Sequence, residues 1–169
     1  MLNFLIFLSL SLLLASCSQT FYIVRHAEKE VADGNAVMMK SDPPLTEPGK
    51  KRAEALKEIL KTKKIGNVFS TNTIRTRSTA EPARAYFNVV TETYSPVPDS
   101  VFITRLKSLK KNTLIVGHSN TVDDIVNKLC GSIKIPTDLR DTEYDHLFVV
   151  KKKGREMSYK NRKYGMPSQ

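Results

Sequence analysis

Short apolar runs of strand length alternate along this chain with longer stretches of helical periodicity. Phe21-Tyr22-Ile23-Val24 is an unbroken apolar run, which predicts a strand buried on both faces. An irregular segment from Lys29 to Pro44 is punctuated by Gly34, Asn35, Pro43 and Pro44. Thr46 then reads as a helix N-cap with Glu47 and Pro48 in the first turn. Ala53, Leu56, Ile59 and Leu60 fall at helical spacing, with lysines on the other face. Ile65 to Phe69 predicts a second strand, and Ser70-Thr71-Asn72 leads into a helix carrying Arg75, Arg77, Ala80, Ala83, Ala85 and Tyr86. The β-rich run Val89 to Tyr94 predicts a third strand, followed by a turn at Pro96 and Pro98 and a helix from Asp99 or Ser100 to about Lys110. Thr113 to Gly117 predicts a fourth strand, and Ser119-Asn120-Thr121 start a helix through Leu129. His146 to Lys152, Gly154 and Arg155 to Lys160 read as a closing hairpin with lysines flanking its turn. Strands alternating with helices predict an α/β fold: a mostly parallel sheet with helices on both faces, closed by a C-terminal hairpin.

The amino end follows a different rule. Residues 4–14 are apolar apart from two serines. Spanning a bilayer takes roughly 20 apolar residues, so this run has the length of a signal-peptide core and not of a transmembrane helix. It ends in Leu14-Ala15-Ser16-Cys17, which resembles a bacterial lipobox, although no Lys or Arg precedes the run. The resulting expectation is a lipoprotein-type signal peptide over 1–16, lipidation at Cys17, a short linker over 17–20 and one domain over 21–169. The protein would then be exported and anchored to a membrane on the periplasmic or cell-surface side.

With 169 residues the chain is long enough for one domain, and its formal net charge of +10 points to an anionic partner. No aromatic-basic interleaving accompanies that charge, so nucleic acid is not the expected partner. Seven Lys or Arg residues against one Glu crowd the chain from Lys151 to Lys163, which suits a solvated sheet edge. The two cysteines are far apart and form neither a disulfide framework nor a zinc pattern. Cys130 follows a helical apolar pattern and precedes Gly131, so it reads as a small hydrophobe near a helix end.

Chemistry concentrates where strands end. A buried strand cannot hold an unpaired cation in its interior, because desolvating it costs several kcal/mol. Arg25 and His26 therefore belong at the carboxyl end of the first strand, the edge at which open α/β sheets bind ligands. Arg75 with Arg77, and His118, follow two further strands in the same way. In a parallel sheet these groups converge on one rim although they are remote in sequence. From the residues alone, the equal alternative for Arg25 and His26 is a strand-end arginine salt-bridged to a neighbour with a surface histidine beside it.

Four stretches together resemble the histidine phosphatase superfamily, the phosphoglycerate-mutase-like group. Val24-Arg25-His26-Ala27-Glu28-Lys29 is similar to its Arg-His-Gly motif, with Ala27 at the commoner glycine. Ser70 to Ala80 is similar to its Ser-Ser-x-x-x-Arg-Ala-x-x-Thr-Ala stretch, Leu45-Thr46-Glu47-Pro48-Gly49 to its Leu-Thr-x-x-Gly helix start, and Val116 to Asn120 to its second-histidine motif. The resemblance implies a phosphatase without metal or cofactor that works through a phosphohistidine on His26. Arg25 and Arg75 would hold the phosphoryl oxygens, and His118 would contact the same group, with the helix start at Asn120-Thr121 beside it. The substrate would be a phosphorylated small molecule or a phosphoprotein. Arg77, two residues beyond Arg75, falls on another helix face and reads as structural, as does His146. For a general acid the chain offers Glu92, Glu28, Asp123 and Glu143, none singled out by its neighbours. The short interval between Arg75 and His118 argues against a mutase and resembles the small phosphohistidine phosphatases. A lipobox conflicts with a cytoplasmic phosphohistidine target, and a silent phosphate-binding or membrane-associated module of the same fold is the alternative reading.

Overall fold

A computed structural model describes residues 18–31 and 42–168. Its elements in chain order are β1 (Ser18–Arg25), α1 (Glu47–Leu60), β2 (Ile65–Ser70), α2 (Ile74–Phe87), β3 (Thr91–Thr93), α3 (Ser100–Ser108), β4 (Asn112–Gly117), α4 (Val122–Cys130), β5 (His146–Lys153) and β6 (Glu156–Lys163). They form one six-stranded sheet in the order β3-β2-β4-β1-β5-β6. The first four strands pair in parallel, and β5 and β6 return antiparallel as the hairpin. This is the α/β architecture that the alternation of strand and helix patterns predicts.

Alternation along β1 divides the core. Phe21 and Ile23 face a cluster with Ile103 and Leu106 of α3 and Val122, Ile125 and Leu129 of α4. Tyr22 and Val24 face the other way, onto Leu56 and Leu60 of α1 and Ala80 and Ala83 of α2. Both faces of the strand are thus covered, which is why its sequence is apolar without interruption. Cys130, the last residue of α4, packs half-buried against the first cluster.

Two local features hold the amino end of α1. The Thr46 hydroxyl accepts from the Gly49 N–H at 3.1 Å, as a helix cap should. Gly49 itself lies against the strand-end loop: a Cβ built there would stand 2.2 Å from the Glu28 carbonyl oxygen. The Leu-Thr-x-x-Gly pattern is therefore a docking device for the segment that follows His26.

Element boundaries depart from the sequence reading where local propensity and tertiary pairing disagree. The first strand begins at Ser18, so residues 18–20 are not a linker. Gln19 is buried, the Thr20 N–H donates to Asn112 Oδ1 at 2.8 Å, and Ser18, Gln19 and Thr20 pair with Lys153, Lys152 and Lys151. The third strand shrinks to Thr91–Thr93, because Asn88 caps α2 in the left-handed region and Val89 donates back to the Arg84 carbonyl. The expected signal peptide over 1–16, the expected lipidation site Cys17 and most of the irregular segment lie outside the described residues. Among the described residues no helix is long and apolar enough to cross a membrane.

Candidate active site

The carboxyl ends of β1, β2 and β4 bring four side chains to one rim. Register aligns Arg25 with Gly117 and Ser70 with Val116, and the His26 N–H donates to the Gly117 carbonyl at 2.9 Å. The residues just beyond these pairs are His26, Thr71 and His118. The rings of His26 and His118 stand edge to face with centroids 5.6 Å apart. Arg75, in the first turn of α2, places Nη2 3.5 Å from His118 Nδ1.

Hydrogen bonds fix each imidazole's tautomer. His26 Nδ1 lies 2.8 Å from the Ala27 carbonyl oxygen, which only accepts, so Nδ1 carries the proton and Nε2 keeps its lone pair. His118 Nε2 lies 2.9 Å from the Thr71 hydroxyl, which donates onward to Thr76 at 3.0 Å. Nε2–H therefore donates to Thr71, and the Nδ1 lone pair faces the Arg75 guanidinium. Ala27 is fully buried and its backbone is not in the left-handed region, so the position does not require glycine. Its N–H donates to Thr79 Oγ1 at 2.9 Å, and Thr79 donates to the Arg75 carbonyl at 2.7 Å. The threonine of the Arg-x-x-x-Thr pattern thus couples the β1 end to α2.

The electrostatics favour an anion. Burial, assisted by the cations Arg25 and Arg75, pushes the His26 imidazole down to about 3. Burial and the same two arginines push His118 down to about 4. Both rings are neutral near pH 7, and the positive charge of the rim resides in the guanidiniums. Burial also lowers Arg25 from its ordinary value, and arginine remains charged regardless.

Arg25 is clasped by residues with no motif of their own. Its Nη1 donates to the carbonyls of Arg140 at 2.7 Å and Glu143 at 3.3 Å, and its guanidinium lies 4.2 Å from the Tyr144 ring centroid. Tyr144 is also 6.1 Å from the His26 ring. Asp42 was equally hidden: it accepts from Arg75 Nη1 at 3.0 Å and from the Ile74 N–H at 2.8 Å. Neither residue carries a sequence signal, because each reaches the rim from a loop. The Nε atoms of Arg25 and Arg75 are both buried without a hydrogen-bond partner among the described residues. A buried unpaired donor costs about 1–3 kcal/mol, which an anionic ligand offsets.

The remaining candidates lie elsewhere or are engaged. Glu28 is bound by Arg52, with Oε1 and Oε2 each 2.9 Å from Nε. Glu92 is ion-paired with Arg105 on an exposed face. Glu143 caps Arg140 through its backbone N–H at 2.8 Å. Asp123 is buried at the start of α4, where burial raises its carboxyl. Arg77 is exposed and bonds Asn72, and His146 bonds Asn161 and Lys163 on the hairpin. The Thr121 hydroxyl is used by the His118 N–H in the turn before α4.

Residues 21–95 match the family described as histidine phosphatase superfamily, branch 1. The match ends before His118, which the fold alone brings to the rim. Among solved structures, the chain is similar to the protein histidine phosphatase SixA complexed with tungstate, with a TM-score of 0.66 and 20% identity over 85% of this chain and 96% of that one. Phosphoglycerate mutase from Bacillus anthracis aligns with a TM-score of 0.62 and 16% identity, over 87% and 93% of the two chains. A mycobacterial glucosyl-3-phosphoglycerate phosphatase aligns with a TM-score of 0.59 and 11% identity, over 89% and 100%. At these identities the likeness concerns the fold. No curated protein sequence matches the chain.

Proposed function

We propose that this chain is a member of the histidine phosphatase superfamily and a metal-independent phosphatase working through a phosphohistidine on His26. The observation that carries the reading is a neutral imidazole with a free Nε2 lone pair, set beside two guanidiniums whose buried Nε donors lack partners among the described residues. The Nε2 lone pair attacks phosphorus, and the bond from phosphorus to the leaving oxygen or nitrogen breaks with its electron pair. Water then attacks the phosphohistidine, and His26 Nε2 recovers its lone pair. Arg25, Arg75 and His118 stabilise the charge on the transferring oxygens, the term that dominates phosphoryl transfer.

The leaving group needs a proton, and among the described residues no carboxylic acid is hydrogen-bonded to His26 or His118. This supports a substrate whose leaving group needs little help, phosphohistidine or a small phosphomonoester. The similar structures named above include a protein histidine phosphatase and a glucosyl-3-phosphoglycerate phosphatase. The test is turnover of p-nitrophenyl phosphate and of phosphohistidine in the presence of EDTA. His26→Ala should lose at least about a thousandfold in kcat, as removal of a nucleophile does. Phosphate binding without turnover in the unaltered chain would favour the silent module instead.

A further inference from the structure

The edge of the sheet opposite the candidate active site carries a second concentration of charge. The amino ends of β1, β2 and β4 and the β5–β6 turn lie together there. The Asn112 side chain ties them, accepting from the Thr20 N–H and donating to the Lys63 carbonyl at 2.6 Å, while Gln19 donates to the Lys111 carbonyl at 3.2 Å. Around this knot stand Lys63, Lys64, Lys110, Lys111, Lys153 and Arg155. None of the six is in an ion pair among the described residues.

Helix ends explain other lysines but not these. Lys57, Lys61 and Lys128 sit at or near helix C-termini, where cations complement the dipole, and each is paired with a Glu or Asp of its own helix. The six lie beyond the helices, in the loops before β2 and β4 and at the hairpin turn. The acidic side chains distribute the other way. Glu47, Asp99, Asp123 and Asp124 open helices at the catalytic edge, and Asp141, Glu143 and Asp145 precede β5 there. On the basic edge Glu58 is taken by Lys57 and Lys61, leaving Glu156 opposite Lys153.

A second observation says what covers this edge. Ser18, the first residue of β1, pairs with Lys153, and Cys17 with the apolar run 4–14 is joined to it directly. The described chain therefore begins at the edge that carries these cations, one residue from Cys17. We infer that the edge formed by Lys63, Lys64, Lys110, Lys111, Lys153 and Arg155 seats on an anionic lipid surface, with the His26–His118 rim turned away from it. The eight residues of β1, at roughly 3.3 Å each, hold the rim about 26 Å above that surface. Each cation near an anionic bilayer strengthens partitioning roughly fivefold. The inference does not depend on the phosphatase reading.

The sheet, the helices and the core clusters all lie within 18–168, so residues 18–169 carry their own core and can be tested without the apolar end. The measurement is co-sedimentation with phosphatidylglycerol–phosphatidylcholine vesicles across a sodium chloride series. Binding should be strong at low salt, fall steeply as salt rises and be absent from pure phosphatidylcholine. Lys64→Glu, Lys110→Glu and Lys153→Glu together should weaken it on the order of a hundredfold. The equal charge change Lys50→Glu, Lys51→Glu and Arg77→Glu, near the helix starts, should weaken it far less. Amide exchange on vesicles should slow at 61–66, 108–112 and 151–157 and stay unchanged at 118–121 and 140–144. Equal loss in both triple variants, slowed exchange at the rim, or binding to an oligonucleotide in preference to anionic vesicles would overturn the inference.

Discussion

His26 and His118 are held neutral by burial beside two arginines, and this makes the native state vulnerable to acid. In the unfolded chain both imidazoles take a proton near the ordinary value of about 6.5. In the folded protein they do so at about 3 and about 4. Below pH 6.5 the unfolded state therefore binds more protons than the native state, so stability falls as pH falls, until the folded-state values are reached. The loss is at most roughly 1.4 kcal/mol per pH unit for each ring. Urea unfolding at pH 7 and pH 5 should differ by roughly 2–4 kcal/mol, and His118→Gln should remove up to half of that difference. Asp42 supplies a second residue-scale prediction. Its carboxylate occupies Arg75 Nη1 and competes with any phosphoryl oxygen for that donor. Asp42→Asn should tighten inhibition by inorganic phosphate severalfold, and unchanged inhibition would mean that the pair is only a helix cap.

At the scale of elements, the first turn of α1 is the joint between scaffold and site. Gly49 lets the turn approach the Glu28 carbonyl, which also accepts from the Thr46 N–H at 3.0 Å. Gly49→Ala should cost about 1–3 kcal/mol in urea unfolding, since the new methyl meets rigid backbone. Elements of this kind were legible because their signal is local. Thr46, Gly49 and the apolar face of α1 fall within a few turns of one another, and the three strand-end motifs announce themselves by residue type. What stayed hidden depends on contacts between distant segments. Tyr144 and the Arg140 carbonyl reach Arg25 across more than a hundred residues. The hairpin strand β6 extends to Lys163 because β5 is there to pair with it, not because Asn161-Arg162-Lys163 favours a strand. The run Val89-Val90 has β propensity but no partner strand, and Val90 is exposed.

For the molecule as a whole, the sheet begins at Ser18, and this decides how much of the chain must be present for it to hold together. Ser18, Gln19 and Thr20 close the ladder against Lys153, Lys152 and Lys151. Without them the lysine end of β5 would keep only β6 as a neighbour. Gln19 Nε2 also donates to the Leu106 and Lys111 carbonyls, tying the end of α3 and the loop before β4 to β1. Removing residues 18–20 therefore takes away several hydrogen bonds at roughly 0.5–1.5 kcal/mol each and leaves buried carbonyls unpaired. The chain from residue 21 should be less stable than the chain from residue 18 by roughly 2–4 kcal/mol. The loss should show as a lower urea midpoint with little change in slope, because the same core still unfolds. Amide exchange should quicken first at 106–112 and 151–153, the segments these three residues touch. Equal midpoints for the two chains would return residues 18–20 to the role of a tether. A lower midpoint would mean that Cys17 abuts the folded sheet directly, so that anything attached there is held rigidly against the basic edge.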